Sequence, residues 1–403
     1  MSAEVALLRD PATIRARAQR ITAYVAARDS PWFLLDESRL DVAAQRVVDV
    51  TLARYPTLAI PYHSRWRHFE AGGIDRAAEL SVALAGLDVA AQARSRIDLA
   101  IISVLLDAGA GADWSYREGA NTYNRSEGLG VASFRAFVAG AFSSDPAQPL
   151  QVDGVALQKL DAAALARLFQ VDAGNPLVGL EGRAELLRRF GRALVERPQA
   201  FGMSARPGGL FDLATVHGAL REIAAAELLR ALLDHTSDIW LAGNTLDGVA
   251  LGDAWRHPQA GGDDLTAGWM PFHKLSQWLV YSLFEPFEWA GIAITGRDAL
   301  TGLPEYRNGG LLLDAGVITL RDPAFATRQY TAGDELIVEW RALTVALIDQ
   351  IAERVRTKLD RSADDLPLAC VLEGGTWAAG RVYAADLRDG RPPLDIASDG
   401  TVF

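Results

Sequence analysis

The chain has 403 residues, half of them hydrophobic and 23% charged, with a formal net charge of −11 at pH 7. That length fills one large domain or two packed lobes, since a single core rarely grows past about 250–300 residues. The acidic balance argues against nucleic acid, whose affinity rests on basic side chains displacing counterions, and the one cysteine, Cys370, excludes an intrachain disulfide and any multi-cysteine zinc site.

Apolar residues recur with a 3.6-residue period through most of the first 290 positions, which predicts helices near 13–28, 38–54, 75–86, 90–107, 126–142, 181–196 and 210–235. Ser126, Asp161 and Asp212 each offer a side-chain oxygen to the free amides of a helix start. Breaks rich in Gly, Pro, Asp and Ser fall at 143–149, 197–209 and 243–268. Beyond them Leu275, Trp278, Leu279 and Leu283 repeat at helical spacing as a core stripe, and Lys274, Gln277 and Tyr281 share an adjacent polar face fit to line a cleft. Leu311 to Leu320 reads as a short strand or helix turn, and Glu335 to Lys358 as a long amphipathic helix. Leu368 to Val371, Arg381 to Ala384 and Leu394 to Ile396 read as short strands of a small antiparallel unit. The expected fold is therefore mainly α with a small C-terminal β unit. Its two lobes are 1–205, helical, and 206–403, helical with short strands. The N-terminus lacks an apolar leader core, and the longest apolar stretch, Leu99 to Leu106, is far short of the ~20 residues a bilayer span needs. A soluble, cytoplasmic protein with no membrane partner is expected.

Chemistry-bearing residues concentrate in a few places. Glu305-Tyr306-Arg307-Asn308 sits between Pro304 and Gly309-Gly310, a density of reactive groups that a plain turn does not need, and with Lys274 and Gln277 it forms the leading candidate site. In IDLAIISVLLDAGAGADWSY an apolar helix runs straight into Asp107, where the helix dipole disfavours a carboxylate by roughly 0.3–1 kcal/mol. Such a penalty calls for a cationic partner or a functional use, the alternative being a turn cap; Asp113 and Trp114 follow in the glycine-rich turn. IPYHSRWRHFEAGG gathers His63, Arg65, Arg67, His68 and Glu70. Its histidine spacing matches no zinc motif and its arginines repel a cation, so no metal is assigned and the segment reads as an anion-binding or structural loop. Arg125 and Glu127 start a helix, where they either reach a ligand or cap. Glu373 before Gly374-Gly375-Thr376 reads as a structural turn in preference to an anion cradle.

The segments IPYHSRWRHFEAGG, SVLLDAGAGADWSY, RSEGL, NPLVGLEGR, PFHKLSQWL, LTGLPEYRNGG, LEGGTWAAGR and the closing DGTVF resemble the uracil-catabolism protein 4 family over nearly the whole chain. The resemblance implies a place in a pyrimidine-degrading route in which a ribosylurea intermediate is broken down to urea, and hence cleavage of an N-glycosidic bond. More distantly, LLDAGAGADW, PFHKLSQ and LPEYR follow the order of motifs in queuosine-salvage nucleotide N-glycosylases, helical proteins similar to helix-hairpin-helix glycosylases. That similarity would bring over Asp107, Trp114, Lys274, Tyr306 and Arg307, with Glu305 where those enzymes carry an aspartate.

The resulting expectation is a hydrolase acting on ribosylurea or its 5′-phosphate. Glu305 is the carboxylate at the anomeric carbon, Asp107 or Asp113 its partner, and Lys274, Tyr306 and Arg307 the phosphate contacts. Asn308, Gln277, Trp114, Arg65, His63 and Glu127 complete the substrate-binding set. No cofactor is expected, and the oligomeric state is monomer or homodimer. The rival readings are a uracil phosphoribosyltransferase-like transferase, although no acidic-pair diphosphate motif follows a hydrophobic strand, and a non-catalytic binding partner of a pathway enzyme.

Overall fold

The computed structural model describes residues 2–397, so the closing DGTVF lies outside the described residues. The helices used below are α1 (Pro11–Ala26), α2 (Leu40–Arg54), α3 (Val89–Leu105), α4 (Arg125–Val138), α5 (Leu180–Glu196), α6 (Ala225–Thr236), α7 (Lys274–Trp289), α8 (Tyr306–Asp314), α9 (Glu335–Leu359) and α10 (Trp377–Arg388). The fold is mainly helical, and strands among the described residues occur only as two-stranded pairs. Of the expected caps Asp161 accepts from the amide of Ala164, whereas Ser126 and Asp212 lie inside helices that begin at Arg125 and Gly209; Asp10 and Asp88 cap α1 and α3.

Three expectations are corrected. The periodicity predicted one helix over 210–235. A short helix, Gly209–Ala214, instead ends where Val216, His217 and Gly218 all take positive φ, and a strand Glu222–Ala224 precedes α6. The predicted antiparallel unit near the C-terminus is absent: Leu368–Val371 is helical, 381–384 lies inside α10, and Asp395–Ile396 pairs in parallel with Gln329–Tyr330. Short apolar runs fit a buried helix as well as a strand, and tight packing decides for helix here. Third, α7 carries no polar face toward a cleft. Its stripe Leu275, Trp278, Leu279 and Leu283 is buried as expected, but Gln277 and Tyr281 are buried too.

The described residues divide into two units, each discontinuous in sequence: 2–63, 244–277 and 296–397 form the first, and 64–243 with 278–295 the second. The expected boundary at 205/206 falls inside the second unit. In the first unit, Ile14, Ala18 and Ile21 of α1 pack with Val338, Ala342 and Val345 of α9, and Met270 and Phe272 join the same cluster. In the second unit, α3, α4 and α5 bury Leu99, Ile102, Phe134, Phe137, Leu187 and Phe190. A buried carboxylate, Asp98 of α3, is held there by Arg206 and by the amides of Gly208 and Val152. Among the described residues no helix is long and apolar enough to cross a membrane.

One contact in the first unit is closer than side chains permit. A Cβ added at Gly380 of α10 would lie 2.0 Å from the carbonyl oxygen of Arg307 in α8. Alanine in a helix interior normally stabilises relative to glycine by about 1 kcal/mol, so Gly380→Ala reverses the usual sign. It should lower stability by about 1–3 kcal/mol through overpacking, read as a drop in the guanidinium unfolding midpoint; a gain would show that α8 and α10 are not in backbone contact.

Candidate functional site

In the first unit the start of α7 is fixed by a buried ion pair. Asp253 Oδ2 accepts the backbone N–H of Lys274 at 3.0 Å, and both oxygens of Asp253 are gripped by Arg341 of α9, at 2.8 and 2.7 Å. The Trp255 indole N–H donates to the same carboxylate at 2.8 Å. Burial alone would raise the Asp253 carboxyl, but the Arg341 charge and its hydrogen bonds prevail and hold it at about 2. Lys274, half-buried, is thus anchored through its backbone at a helix N-terminus. One turn on, Gln277 has its side-chain amide fully committed. Its Nε2 donates to Thr301 Oγ1 and to the carbonyl of Phe272, and its Oε1 accepts the Thr301 N–H, at 2.8, 2.9 and 2.8 Å. Gln277 therefore fastens to α7 the strand-like segment leading to Glu305.

Glu305 is the N-cap of α8. Its two oxygens accept the amides of Asn308 and Arg307 at 2.6 and 2.9 Å, so the carboxylate is oriented by the helix. Each oxygen retains a lone pair, and the residue is half-buried, so it can still accept from a water or a hydroxyl. The Arg307 guanidinium carbon lies over aromatic rings, 4.7 Å from the centroid of Tyr306 and 4.6 Å from that of Trp377. Among the described residues its guanidinium forms no ion pair. Asn308 is buried, donates from Nδ2 to the Leu303 carbonyl at 3.0 Å, and has an Oδ1 with no hydrogen-bond partner among the described residues.

Beside this turn lies a carboxylate that the sequence reading took for part of a structural turn. Glu373 is in a π-helical turn, Leu372–Thr376, continuous with helix on both sides. Its Oε1 accepts from Arg54 at 2.8 Å and from the Tyr55 hydroxyl at 3.0 Å, and its Oε2 lies 2.9 Å from His63 Nδ1. Arg54 also reaches the carbonyls of Glu373 and Gly374, oxygens that the wide turn leaves short of regular partners. Burial raises the Glu373 carboxyl, but His63 and Arg54 outweigh it and hold it at about 2. The His63 ring in turn packs on Trp377, centroids 6.0 Å apart. The first unit thus brings together Glu305, Tyr306, Arg307, Trp377, His63 and Glu373.

The other sequence candidates lie in the second unit. Asp107, at the end of α3, meets Arg65 at 2.9 Å, and the Asp107 charge also acts on Arg183, whose guanidinium donates to the carbonyls of Leu106, Ala108 and Gly109. The dipole penalty is therefore offset by two cations. Burial lowers the pKa of both, Arg183 to about 10, which still leaves it charged at neutral pH. Arg65 is fully buried, bonded to Ser103 Oγ at 2.6 Å, and Glu127 is close enough to act on its charge. Asp113 is exposed. Trp114 is 1% exposed, stacked on Phe169 and donating to its carbonyl at 3.0 Å, as a core residue does. Arg67 is paired with Glu285 and Glu70, and His68 packs edge-on against Trp278. Among the described residues no group of three or more His, Cys, Asp or Glu could hold a metal ion.

Asp253 and Arg341 went unnoticed because each looks ordinary in sequence and they are 88 residues apart. Asp253→Asn leaves a buried guanidinium without its counter-charge, which should cost about 3–5 kcal/mol. Because the folded-state value of about 2 lies below the ordinary 3.8, the carboxylate's stabilisation is present above about pH 4 and lost as pH falls toward 2. Guanidinium unfolding across that window should find the variant less stable at neutral pH and less sensitive to acid than the parent.

Residues 7–403 match the family described as "Protein of unknown function (DUF1688)". The chain is 41% identical over 415 residues to the protein named "Protein urg3" of Schizosaccharomyces pombe, with 100% of each chain covered. It is 38% identical over 436 residues to the "Uracil catabolism protein 4" of Lachancea kluyveri, with 99% of each covered. Both relatives are matched over essentially the whole chain, and the chain belongs to the DUF1688 family, that of the uracil catabolism protein 4 and urg3 proteins.

Proposed function

We propose that this protein acts in uracil catabolism as a hydrolase, cleaving the N-glycosidic bond of ribosylurea or its 5′-phosphate to release urea. Full-length similarity to a protein named for uracil catabolism supports the pathway. The observation that carries the chemistry is the turn at the start of α8, where a dipole-oriented carboxylate, Glu305, stands two residues from a guanidinium laid against Tyr306 and Trp377. Departure of urea builds positive charge at C1′ of the sugar. A carboxylate held rigidly by two amides stabilises that charge without reorganising, and it can accept a proton from the attacking water.

Arg307 supplies the cationic face for a 5′-phosphate or for sugar hydroxyls, with Lys274 and Tyr306 in the same role, and Gln277 acts by positioning the segment that carries Glu305. Asp107 is given a structural role in this reading, since its charge is shared between Arg65 and Arg183. The wider fold would then be that of a helical N-glycosylase. A net charge of −11 suits a small anionic sugar that needs only a local cationic pocket.

Purified protein given synthetic ribosylurea, with and without its 5′-phosphate, should release urea from one or both. Glu305→Gln, which keeps an acceptor for the α8 amides, should lower kcat by on the order of 10²-fold or more with an unchanged circular dichroism spectrum. Absence of urea from both substrates would refute the hydrolase reading; binding by calorimetry without turnover would indicate a binding protein, and consumption of a phosphoribosyl donor a transferase.

A further inference from the structure

We propose that His63 is the proton donor to the departing urea nitrogen and that Glu373 is the residue that positions it, an inference that rests on the reading above. The juxtaposition is specific: the imidazole of His63 and the guanidinium of Arg307 both pack on the Trp377 indole, and Arg307 is two residues from Glu305. The arginine whose backbone amide Glu305 accepts and this histidine are thereby brought to one aromatic side chain.

Several features fix the ring. Glu373 is 5% exposed and, with three donors on its oxygens, is held as the carboxylate, so it can only accept. The proton between it and His63 must therefore sit on Nδ1, and any exchange of a proton by this ring passes through Nε2. The carboxylate itself is set by the π-helical turn. A Cβ at Gly375 would lie 2.5 Å from the Val47 carbonyl and from Thr51 Oγ1 of α2, and one at Gly374 would lie 3.1 Å from Thr51, so only glycines let the turn press against α2 beside Arg54. π-helical turns of this kind recur at functional sites. Arg54 alone would neutralise Glu373; the additional bond to Nδ1 does for His63 what carboxylates do for catalytic and metal-bound histidines, fixing tautomer and ring orientation.

The step balances as a hydrolysis. As the C1′–N bond breaks, its electron pair stays on the urea nitrogen, which takes the Nε2 proton; water oxygen bonds to C1′ and its proton passes to Glu305. Exchange with solvent then reprotonates His63 and deprotonates Glu305. The charged and titratable groups linked to the ring include Glu373 in the π-turn, which contacts it directly, Arg54 and Tyr55 at the end of α2, which bond to that carboxylate, and, across Trp377, Arg307 of α8 and Arg381 of α10.

The test has two arms. In the first, urea release is followed against pH for wild type, His63→Gln and Glu373→Gln. His63→Gln should lose about 10²–10³-fold in kcat with little change in KM, and Glu373→Gln should move the alkaline limb of the profile to lower pH, because the imidazolium loses its carboxylate. A loss under about threefold in His63→Gln, or an alkaline limb unmoved in Glu373→Gln, overturns the proposal and leaves a structural ion pair. In the second arm, ¹⁵N spectra of the histidine rings in substrate-free protein report the site of protonation. Nδ1 protonation of His63, with a ring pKa that falls in Glu373→Gln, supports the positioning role; an unprotonated Nδ1 overturns it. This arm reads the pair even if wild type releases no urea, so failure of the hydrolase reading and failure of the pair are told apart. Should Glu373→Gln not fold, Glu373→Asp, which keeps the charge but withdraws the oxygen from Nδ1, serves in both arms.

Discussion

Backbone contact between α8 and α10 is the constraint on which the candidate site depends. With no side chain at Gly380, α10 can lie directly against the Arg307 carbonyl, and Trp377 is then three residues away on the same helix, where its indole meets the Arg307 guanidinium. The neighbouring π-turn is held by the same device, Gly374 and Gly375 lying against α2. Helices normally pack some 8–10 Å apart through interlocking side chains. Glycine replaces that interlocking with van der Waals contact between main chains, which fixes the flanking residues more tightly than flexible side chains could.

Arginine supplies nearly all of the positive charge. Of 40 basic residues only Lys159, Lys274 and Lys358 are lysine. Several inward-facing carboxylates are accordingly met by guanidinium groups: Asp253 by Arg341, Asp98 by Arg206 and the partly buried Asp314 by Arg388. A planar guanidinium can grip both carboxylate oxygens, as Arg341 and Arg388 do, and is less strongly hydrated than an ammonium, so it suits interior pairing. Lys274 stands out against that background. Its backbone is locked by Asp253 while its side chain is the compact, mobile kind of cation that the rest of the interior avoids.

Much of the helical frame was legible from periodicity, because Leu275, Trp278, Leu279 and Leu283, like the apolar face of α9, announce their burial through spacing alone. The reactive turn at 305–308 was legible from composition. What periodicity misses is polarity that is satisfied at long range. Gln277 reads as part of a polar face lining a cleft, yet it is buried because Thr301, 24 residues on, answers each of its hydrogen-bonding groups. Asp107 announced a need for cations, but only the fold shows that Arg65 and Arg183, 76 positions further on, supply them. Leu368–Val371 failed as a strand for a simpler reason: four apolar residues carry no period of their own. Glu373 was hidden by its glycines, which read as a structural turn and instead permit close packing within a helix.

The first unit is assembled from three separated stretches of chain, with α1 packed on α9 across more than 300 residues. Its N-terminal helices therefore leave the ribosome long before their packing partners exist. The second unit, by contrast, draws most of its residues from one uninterrupted span, 64–243. Synthesis consequently imposes an order in which the middle of the chain can condense early, while α1 and α2 wait with apolar faces unsatisfied until α9 and α10 emerge. Chains interrupted late in translation would expose those faces, making the first unit the one most dependent on protection during synthesis.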